Sequence, residues 1–239
     1  HEIFSKIDYD NSKIDLFLEW CWQYKSNVNF LRYYKDIKER KQIDLLCDDI
    51  QKIKNKWSEQ LPLIDKRKSP EIFNKEYDKY EKLLDCHWFL SHELKNWFNQ
   101  INDFVGEKNQ FSDSSIIFYK NLISVINSMD NRLEFRGRDS LGISIQLVSK
   151  YFNQNKCKNI TSSDNSESVY FEKINGLNVF TFIFKTANII GSLGDNAKKI
   201  KGLIKNNDFL KDIIFQNKVE YGTIVCHTRW ASVGDVSNE

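Results

Sequence analysis

The distribution of proline constrains the fold of this chain more than any other feature of its sequence. The 239 residues include two prolines, Pro62 and Pro70, and both lie within one short stretch. A proline inside a helix removes a backbone donor and clashes with the preceding turn. Long helices are therefore permitted on either side of this stretch, and the apolar pattern predicts them there.

Apolar residues before Pro62 recur at helical spacing. The segment 14–34 is dense in Leu, Phe, Trp and Tyr and predicts one helix that is apolar around much of its girth. A second stripe ends near Leu61, and its spacing of three and four residues predicts an amphipathic helix. The members of this stripe are Ile43, Leu46, Ile50, Ile53 and Trp57.

A third helix is predicted to begin at Pro70, with Ser69 as its N-cap. Apolar residues then follow at near-heptad spacing over 73–105, and Gly106 is the predicted C-cap. One more helix is predicted to begin at Ser112 or Asp113. The first 112 residues therefore predict a largely helical block.

The pattern changes after Arg136, where β-type sequence begins. Asn175-Gly176 is a hairpin turn signal between two alternating segments. The other predicted elements are strands at 142–148, 169–174, 177–184 and 221–227, a polar loop at 156–168, and a helix at 187–203 with an interruption at 191–196. This half predicts an α+β domain.

Composition excludes several classes of function. The net charge is +2, which gives no electrostatic reason to expect nucleic acid or an anionic membrane as a partner. No apolar run reaches the length of a membrane span, and the start lacks a signal peptide's apolar core. The five cysteines are scattered, which indicates reduced thiols and a cytoplasmic protein.

Two short segments carry residues suited to binding chemistry. Residues 133–143 read LEFRGRDSLGI, and residues 226–234 read CHTRWASVG. Gly137 lets the backbone turn tightly or approach a ligand. Arg229 directly follows a predicted strand, where a guanidinium can hold a carboxylate through two parallel hydrogen bonds. Taken alone, an arginine of this kind more often forms a surface ion pair, and an Arg-Gly pair is usually a turn.

In this order, the two segments resemble the internal signatures of the class II glutamine amidotransferases, whose usual forms are roughly LEYRGYDSAGI and HTRWATHG. The pattern is most similar to the glutaminase domain of glucosamine-6-phosphate synthase. A looser match, IGSLGDN at 190–196, lies between them. The resemblance implies a partial N-terminal-nucleophile αββα sandwich, with the helical block as a large inserted bundle. We expect an α+β protein of this kind.

The resemblance also implies a reaction. In such enzymes an N-terminal cysteine thiol attacks the side-chain amide of glutamine, and the chain's own α-amino group is the general base. Backbone and asparagine donors hold the oxyanion. The ammonia passes to a second domain that binds a sugar phosphate. Glutamine and a sugar phosphate are therefore the expected ligands, and no cofactor or metal is expected.

Residue roles follow from the resemblance alone. Arg229 would bind the α-carboxylate of glutamine, and Trp230 would form a lid or wall over the site. Ser232 would offer a donor near the same carboxylate. Arg136 and Gly137 would line the floor near the nucleophile. His227 and Thr228 would support the loop.

The first residue departs from the family pattern. If Ile3-Phe4 is the family's first strand, His1 occupies the position of the nucleophilic cysteine. An imidazole is a poor substitute for a thiolate in forming a stable acyl intermediate. His1 is then either a tag or cut-site residue, or the chain does not form the thioester. A second departure is Val233, where the family has histidine.

The predicted organisation has three parts: a first strand at 1–9, a helical insertion at 10–112, and a glutaminase portion at 113–239 that is truncated after Glu239. We expect a fragment of a longer protein, with an isomerase-type domain and possible homodimerisation. An alternative function belongs to a different class, since the chain could be a catalytically inactive amidotransferase-fold scaffold whose helical insertion binds proteins. His87 and His92 are five residues apart, which places them on different faces of an α-helix and makes a zinc site improbable.

Overall fold

The computed structural model describes residues 11–63, 70–106, 112–133, 137, 139–150, 159–163, 165–187, 192–215 and 219–229. The chain divides into two compact units, one up to Asn99 and one from Gln100. Among the described residues, none of the helices combines the length and apolar character that a membrane span requires.

The first unit, called the helical unit below, consists of helices in sequence. The helices are α1 (Asn11–Gln23), α2 (Asn27–Lys35), α3 (Ile37–Gln60), α4 (Pro70–Trp88) and the beginning of α5 (Lys95–Val105). A 3₁₀ turn at Leu61–Leu63 ends α3, and a π-helical segment at Phe89–Leu94 joins α4 to α5. Helix α4 packs against α1 and α3, and α2 packs against α3.

The prediction of a single helix over 14–34 is wrong, because the chain turns between Gln23 and Asn27. The hydroxyl of Ser26 donates to the carbonyl oxygen of Gln23 at 2.6 Å and accepts from the backbone N–H of Asn29 at 3.4 Å. Ser26 is therefore the N-cap of α2. Apolar residues recur at helical spacing before and after the turn, so the spacing of apolar residues does not reveal it.

The predicted long helix after Pro70 is confirmed, with one change of geometry. Helical structure runs from Pro70 to Val105 through the π-helical segment. Gly106 follows with φ +68°, the left-handed conformation that ends helices and that glycine adopts without strain. Proline at the first helical position and glycine after the last one account for both ends.

Aromatic rings fill the core of the helical unit. Phe30 and Trp97 are fully or almost fully buried and meet edge to face at 5.7 Å. Phe89 lies 6.1 Å from the Trp97 ring and 5.1 Å from the Trp22 ring. The stripe predicted for α3 also faces this interior, where Ile43, Ile50 and Trp57 are buried. The amphipathic pattern of α3 therefore reflects the packing of this helix in the core of the helical unit.

The second unit, called the sheet unit below, contains a five-stranded sheet. Its helices are the end of α5, then α6 (Asp113–Ser128), a π-helical segment at Met129–Leu133, α7 (Asp195–Asn206) and α8 (Asp208–Phe215). Its strands are β1 (Ser140–Ser149), β2 (Ile160–Thr161), β3 (Glu167–Ile174), β4 (Leu177–Ala187) and β5 (Val219–Arg229). The predicted start of a helix at Ser112 or Asp113 is confirmed, since α6 begins at Asp113 with Ser112 as its N-cap.

The strands follow the order β2-β3-β4-β1-β5, and each neighbouring pair is antiparallel. The hairpin between β3 and β4 turns at Asn175 and Gly176, whose φ values of +50° and +81° are those of the predicted tight turn. Helix α7 packs on β1 and β4, and α6 packs on β5. These contacts cover one face of the sheet, called the helix-covered face below.

The helix-covered face holds the core of the sheet unit. Phe180, Phe182 and Phe184 alternate along β4 and are buried. Ile143 and Ile145 of β1 pair with Phe184 and Phe182 and are buried with them. The residues between them point to the opposite face, called the open face below, and remain partly exposed.

The structure confirms a mixed α+β architecture with an antiparallel sheet. Two elements were not predicted, strand β2 within the expected polar loop and helix α8. The boundary between the units falls inside α5, whereas the sequence predicts a helical insertion that ends at residue 112. The predicted first strand at 1–9 lies outside the described residues.

Candidate functional site

The two signature segments meet at one end of the sheet. A Cβ atom built on Gly137 would lie 2.9 Å from the carbonyl carbon of Arg229 and 3.1 Å from that of Thr228. The backbone N–H of Asp139 donates to the carbonyl oxygen of Arg229 at 3.1 Å. The hydroxyl of Thr228 donates to the carbonyl oxygen of Leu133 at 3.3 Å. Residues far apart in sequence are therefore in direct contact.

Strand pairing explains this meeting. Ser140, the first residue of β1, pairs with Arg229, the last residue of β5. The approach to β1 and the end of β5 consequently share one end of the sheet. Gly137 lies against backbone atoms, which cannot swing aside as a flexible side chain can, so the close contact requires a residue without a side chain.

Alternation along β5 decides which residues share a face with Arg229. Cys226 pairs with buried Ile143 and therefore faces the helix-covered side. His227 and Arg229 lie on the open face, and both are exposed. Arg229 therefore lies on the exposed face at the end of β5.

The His227 ring lies over strand β1, where a glycine leaves room for it. Gly142 pairs with His227 across β1 and β5. A Cβ atom on Gly142 would lie 2.5 Å from Cε1 of the His227 ring and 3.1 Å from each ring nitrogen. The ring therefore occupies the space above the β1 backbone that any larger residue would fill. This contact fixes the direction of His227 across the sheet.

Cys226 is the cysteine nearest to Arg229 in sequence, but the structure gives it no catalytic geometry. Its side chain is directed to the opposite face of the sheet from Arg229. Burial raises the pKa of the Cys226 thiol, which lowers the fraction of nucleophilic thiolate. The Cys226 side chain therefore lies toward the helix-covered face, away from Arg229.

The structure brings together two of the predicted site residues, Gly137 and Arg229. The others lie outside the described residues, and their predicted roles stay predictions. These residues are His1, Arg136, Trp230 and Ser232. Thr228 donates a hydrogen bond to the backbone of the π-helical segment before β1, and the supporting role predicted for it stays a prediction.

Three thiols of the helical unit are buried among its helices. Cys21, Cys47 and Cys86 come from α1, α3 and α4 and are 0–5% exposed. Burial, with Cys86 and Cys47 nearby, raises the pKa of Cys21 strongly, and burial raises the pKa of Cys47 to about 11. Such thiols behave as small apolar residues. No group of three metal-binding side chains is found in the part of the chain that the structure describes.

A lysine–histidine contact marks the junction of α4 with the π-helical segment. Nζ of Lys54 donates to Nδ1 of His87 at 3.1 Å. The pKa of His87 is lowered by partial burial and then by the charges of Lys54, His92 and Lys95. The sequence analysis assumed an α-helix when it assigned His87 and His92 to different faces. The structure instead has a π-helical segment at Phe89–Leu94, whose hydrogen bonds join residues i and i+5, so that assignment does not apply.

Comparison with known proteins adds no relative. No protein-family model matches the chain, no curated protein matches its sequence, and no solved structure matches its fold at a significant level.

Proposed function

We propose that this chain is part of a class II glutamine amidotransferase, similar in its glutaminase portion to glucosamine-6-phosphate synthase. The observation that carries the proposal is the meeting of Gly137 with Arg229 at one end of the sheet. Two family-like signatures that are distant in sequence lie together at one end of the sheet, as the residues of one binding site must, and this supports the proposal. The finer αββα sandwich belongs to the same proposal.

The chemistry of Arg229 suits an amino-acid carboxylate. Its guanidinium is planar and permanently charged, and it offers parallel donors that match the two carboxylate oxygens. Arg229 lies on the open face, where a small molecule has access. Binding the α-carboxylate there would orient the side-chain amide of glutamine for attack. This is the role that the resemblance implies for the residue.

The proposed reaction is hydrolysis of glutamine with transfer of its ammonia. Attack on the amide carbon forms an acyl intermediate and breaks the carbon–nitrogen bond, so ammonia leaves. Water then releases glutamate. The ammonia would pass to a sugar phosphate on an isomerase-type domain, which is the acceptor that the resemblance implies.

A direct test is the release of ammonia and glutamate from glutamine by the full-length protein. We expect Arg229→Gln to weaken glutamine binding by about tenfold or more, because a charge-assisted bidentate contact is lost. Arg229→Lys should recover part of the loss. Lys173→Gln removes a cation from exposed strand β3 and is the control. Unchanged glutamine binding in Arg229→Gln would rule out the proposed carboxylate site.

Val233, which stands where the family has histidine, favours a second candidate, an inactive scaffold that retains the fold and binds proteins through the helical unit. Labelling with a diazoketone analogue of glutamine separates the two candidates. An active nucleophile forms a covalent adduct at the N-terminus, whereas a scaffold forms none. An unlabelled wild type would favour the scaffold.

A further inference from the structure

A lysine of α3 and a histidine of α4 meet where α4 passes into the π-helical segment. Nζ of Lys54 donates to Nδ1 of His87 at 3.1 Å and to the amide oxygen of Gln51 at 3.3 Å. An ammonium group has donors only, so Nδ1 of His87 carries a lone pair and the imidazole is neutral. Within the described residues, neither Lys54 nor His87 forms an ion pair with a carboxylate. A proton that charges His87 therefore adds to the atom that Lys54 contacts, and this hydrogen bond is lost.

The neighbouring histidine, His92, is held in a different way. The hydroxyl of Ser91 donates to the carbonyl oxygen of His87, so its oxygen accepts from Nδ1 of His92 at 2.7 Å. The His92 ring also stacks on the exposed Trp88 ring, with 6.4 Å between the ring centres. Nε2 is then the atom of His92 that gains a proton, and neither contact has to break. His92 can therefore become charged without losing a partner, whereas His87 cannot.

Basic groups from three elements surround the His87 imidazole. The charges of Lys54 on α3, His92 on the π-helical segment and Lys95 at the start of α5 all act on it. Like charges in a partly buried place disfavour a further positive charge. A proton on His87 therefore costs the Lys54 hydrogen bond and also adds repulsion from these neighbours.

The carboxylates of this region act on lysines. Asp44 of α3 pairs with Lys95 at 2.6 Å, and Asp48 also acts on that lysine. Glu93 of the π-helical segment pairs with Lys25 at 3.9 Å. These acidic groups offset part of the lysine charge, and none of them contacts the imidazole of α4.

The π-helical segment also carries part of the core of the helical unit. Phe89, Leu90 and Leu94 are fully buried, and the Phe89 ring lies 6.1 Å from the Trp97 ring. Helix α3 packs against both α4 and this segment. Opening of the segment would expose its backbone amides to water, so hydrogen exchange of these amides measures how often it opens.

We propose that the Lys54–His87 contact is an acid-sensitive latch, which holds α3 to the end of α4 at neutral pH and releases the π-helical segment for local opening when His87 takes up a proton. His92 strengthens the response, because its own proton adds to the repulsion. Burial and then the neighbouring charges lower the pKa of His87 from 6.5, so the opened segment binds the proton more readily and opening increases as the pH falls below 6.5. The latch lies wholly within the helical unit and does not depend on the proposed amidotransferase activity.

Hydrogen exchange of the full-length protein, read by mass spectrometry on peptides that cover 89–95 and corrected for the intrinsic pH dependence of exchange, tests the latch. We expect the protection factor of this segment to fall by about threefold or more from about pH 7.5 to about pH 5 in the wild type. His87→Gln should abolish this fall, because a glutamine accepts from Lys54 and does not titrate. Lys54→Met should lower the protection factor already at neutral pH. Lys52→Met is the matched control, since Lys52 lies on the same helix with its side chain 76% exposed, and it should behave as wild type.

Three outcomes would overturn the latch. The first is an unchanged loss of protection at acid pH in His87→Gln, because another group would then be titrating. The second is an equal loss of protection throughout the helical unit of the wild type, because the unit would then unfold as a whole rather than open locally. The third is a wild-type protection factor that does not change with pH. His92→Gln should reduce the response without abolishing it, and a response that is lost in His92→Gln but kept in His87→Gln would assign the switch to the wrong histidine.

Discussion

The helical unit and the sheet unit use their aromatic and charged residues differently. In the helical unit, rings from several helices meet in one core, and Arg32 pairs with Glu39 at 2.8 Å. In the sheet unit, phenylalanines fill the helix-covered face, while the open face gathers Arg229, His227 and Lys185 at one end. Core packing explains where most of the rings of the helical unit lie. It does not explain why Arg229, His227 and Lys185 lie at one end of the open face.

The largest expected effect tests whether the two faces of the sheet differ in solution. Phe182 is fully buried on the helix-covered face, and its neighbour Ile183 is half-buried on the open face. We expect Phe182→Ala to lower the free energy of unfolding by about 3–5 kcal/mol, because it removes packed atoms and leaves a cavity. Ile183→Ala should cost about 1 kcal/mol or less. Urea unfolding measures both.

Equal losses of stability in Phe182→Ala and Ile183→Ala would contradict the difference between the two faces. They would mean that the open face is as well packed as the helix-covered face, and a ligand site there would have no access. A small loss of stability in Ile183→Ala would show that the open face contributes little to the free energy of unfolding.

The second prediction concerns the glycine where the signature segments meet. Gly137→Ala places a Cβ atom against the backbone of Thr228 and Arg229 and should cost about 1–3 kcal/mol, since the backbone must shift. Gly202 is the matched control inside α7, where an added Cβ atom meets nothing within 4 Å. Gly202→Ala should stabilise the protein by about 0.5–1 kcal/mol through helix propensity. Thermal unfolding under one buffer compares the two.

A stable Gly137→Ala variant would contradict the close contact. It would imply that the segment before β1 lies farther from β5 than the structure shows, and the observation behind the proposed function would lose its force. Loss of glutamine binding without loss of stability would place the effect in the site itself.

Sequence reasoning predicted the individual helices and strands better than it predicted how they turn and pair within each unit. The helix from Pro70 and its end at Gly106 follow from proline and glycine chemistry, and the hairpin at Asn175-Gly176 follows from turn chemistry. The turn at Ser26 was missed because apolar residues recur at helical spacing both before and after it. The π-helical segment was missed because its pattern is close to that of an α-helix.

The candidate site shows the same limit more sharply. Arg229 and Gly137 were found because they belong to recognisable motifs. The contact of the His227 ring with Gly142 was not found, since strand pairing and register bring the two residues together, and neither can be read from one strand's alternation.

The third prediction concerns the helix caps, which should have similar effects in the two units. The carboxylate of Asp36 accepts from the backbone N–H of Lys38 at 2.8 Å at the start of α3. The hydroxyl of Ser112 accepts from the backbone N–H of Ser115 at 3.1 Å at the start of α6. Each alanine substitution should cost about 1 kcal/mol by urea unfolding.

The exposed residue Ser58 is the control for these caps, because its hydroxyl donates to the carbonyl oxygen of Asn55 within α3 and caps no helix start. Ser58→Ala should leave stability almost unchanged. If one cap substitution has no effect on stability, the corresponding helix end is frayed in solution, and its capping hydrogen bond does not stabilise that helix.

The smallest expected effect is a dependence of helical-unit stability on pH. Burial and the charges of Lys54, His92 and Lys95 lower the pKa of His87 from its ordinary value of 6.5. The unfolded chain therefore binds this proton more readily than the folded chain. The stabilising contribution of neutral His87 is complete above pH 6.5 and declines as the pH falls through the lowered folded pKa.

His87→Gln should flatten this acid-side slope, measured by urea unfolding at several pH values with tryptophan fluorescence. Lys54→Met removes both the donor at 3.1 Å and a neighbouring charge, so the His87 pKa should move back toward its ordinary value in an NMR titration of the imidazole. Asp44 pairs with Lys95 at 2.6 Å and partly offsets the repulsion. The same slope in His87→Gln as in wild type would show that another group titrates, and the contact between α3 and α4 would then be structural without being pH-dependent.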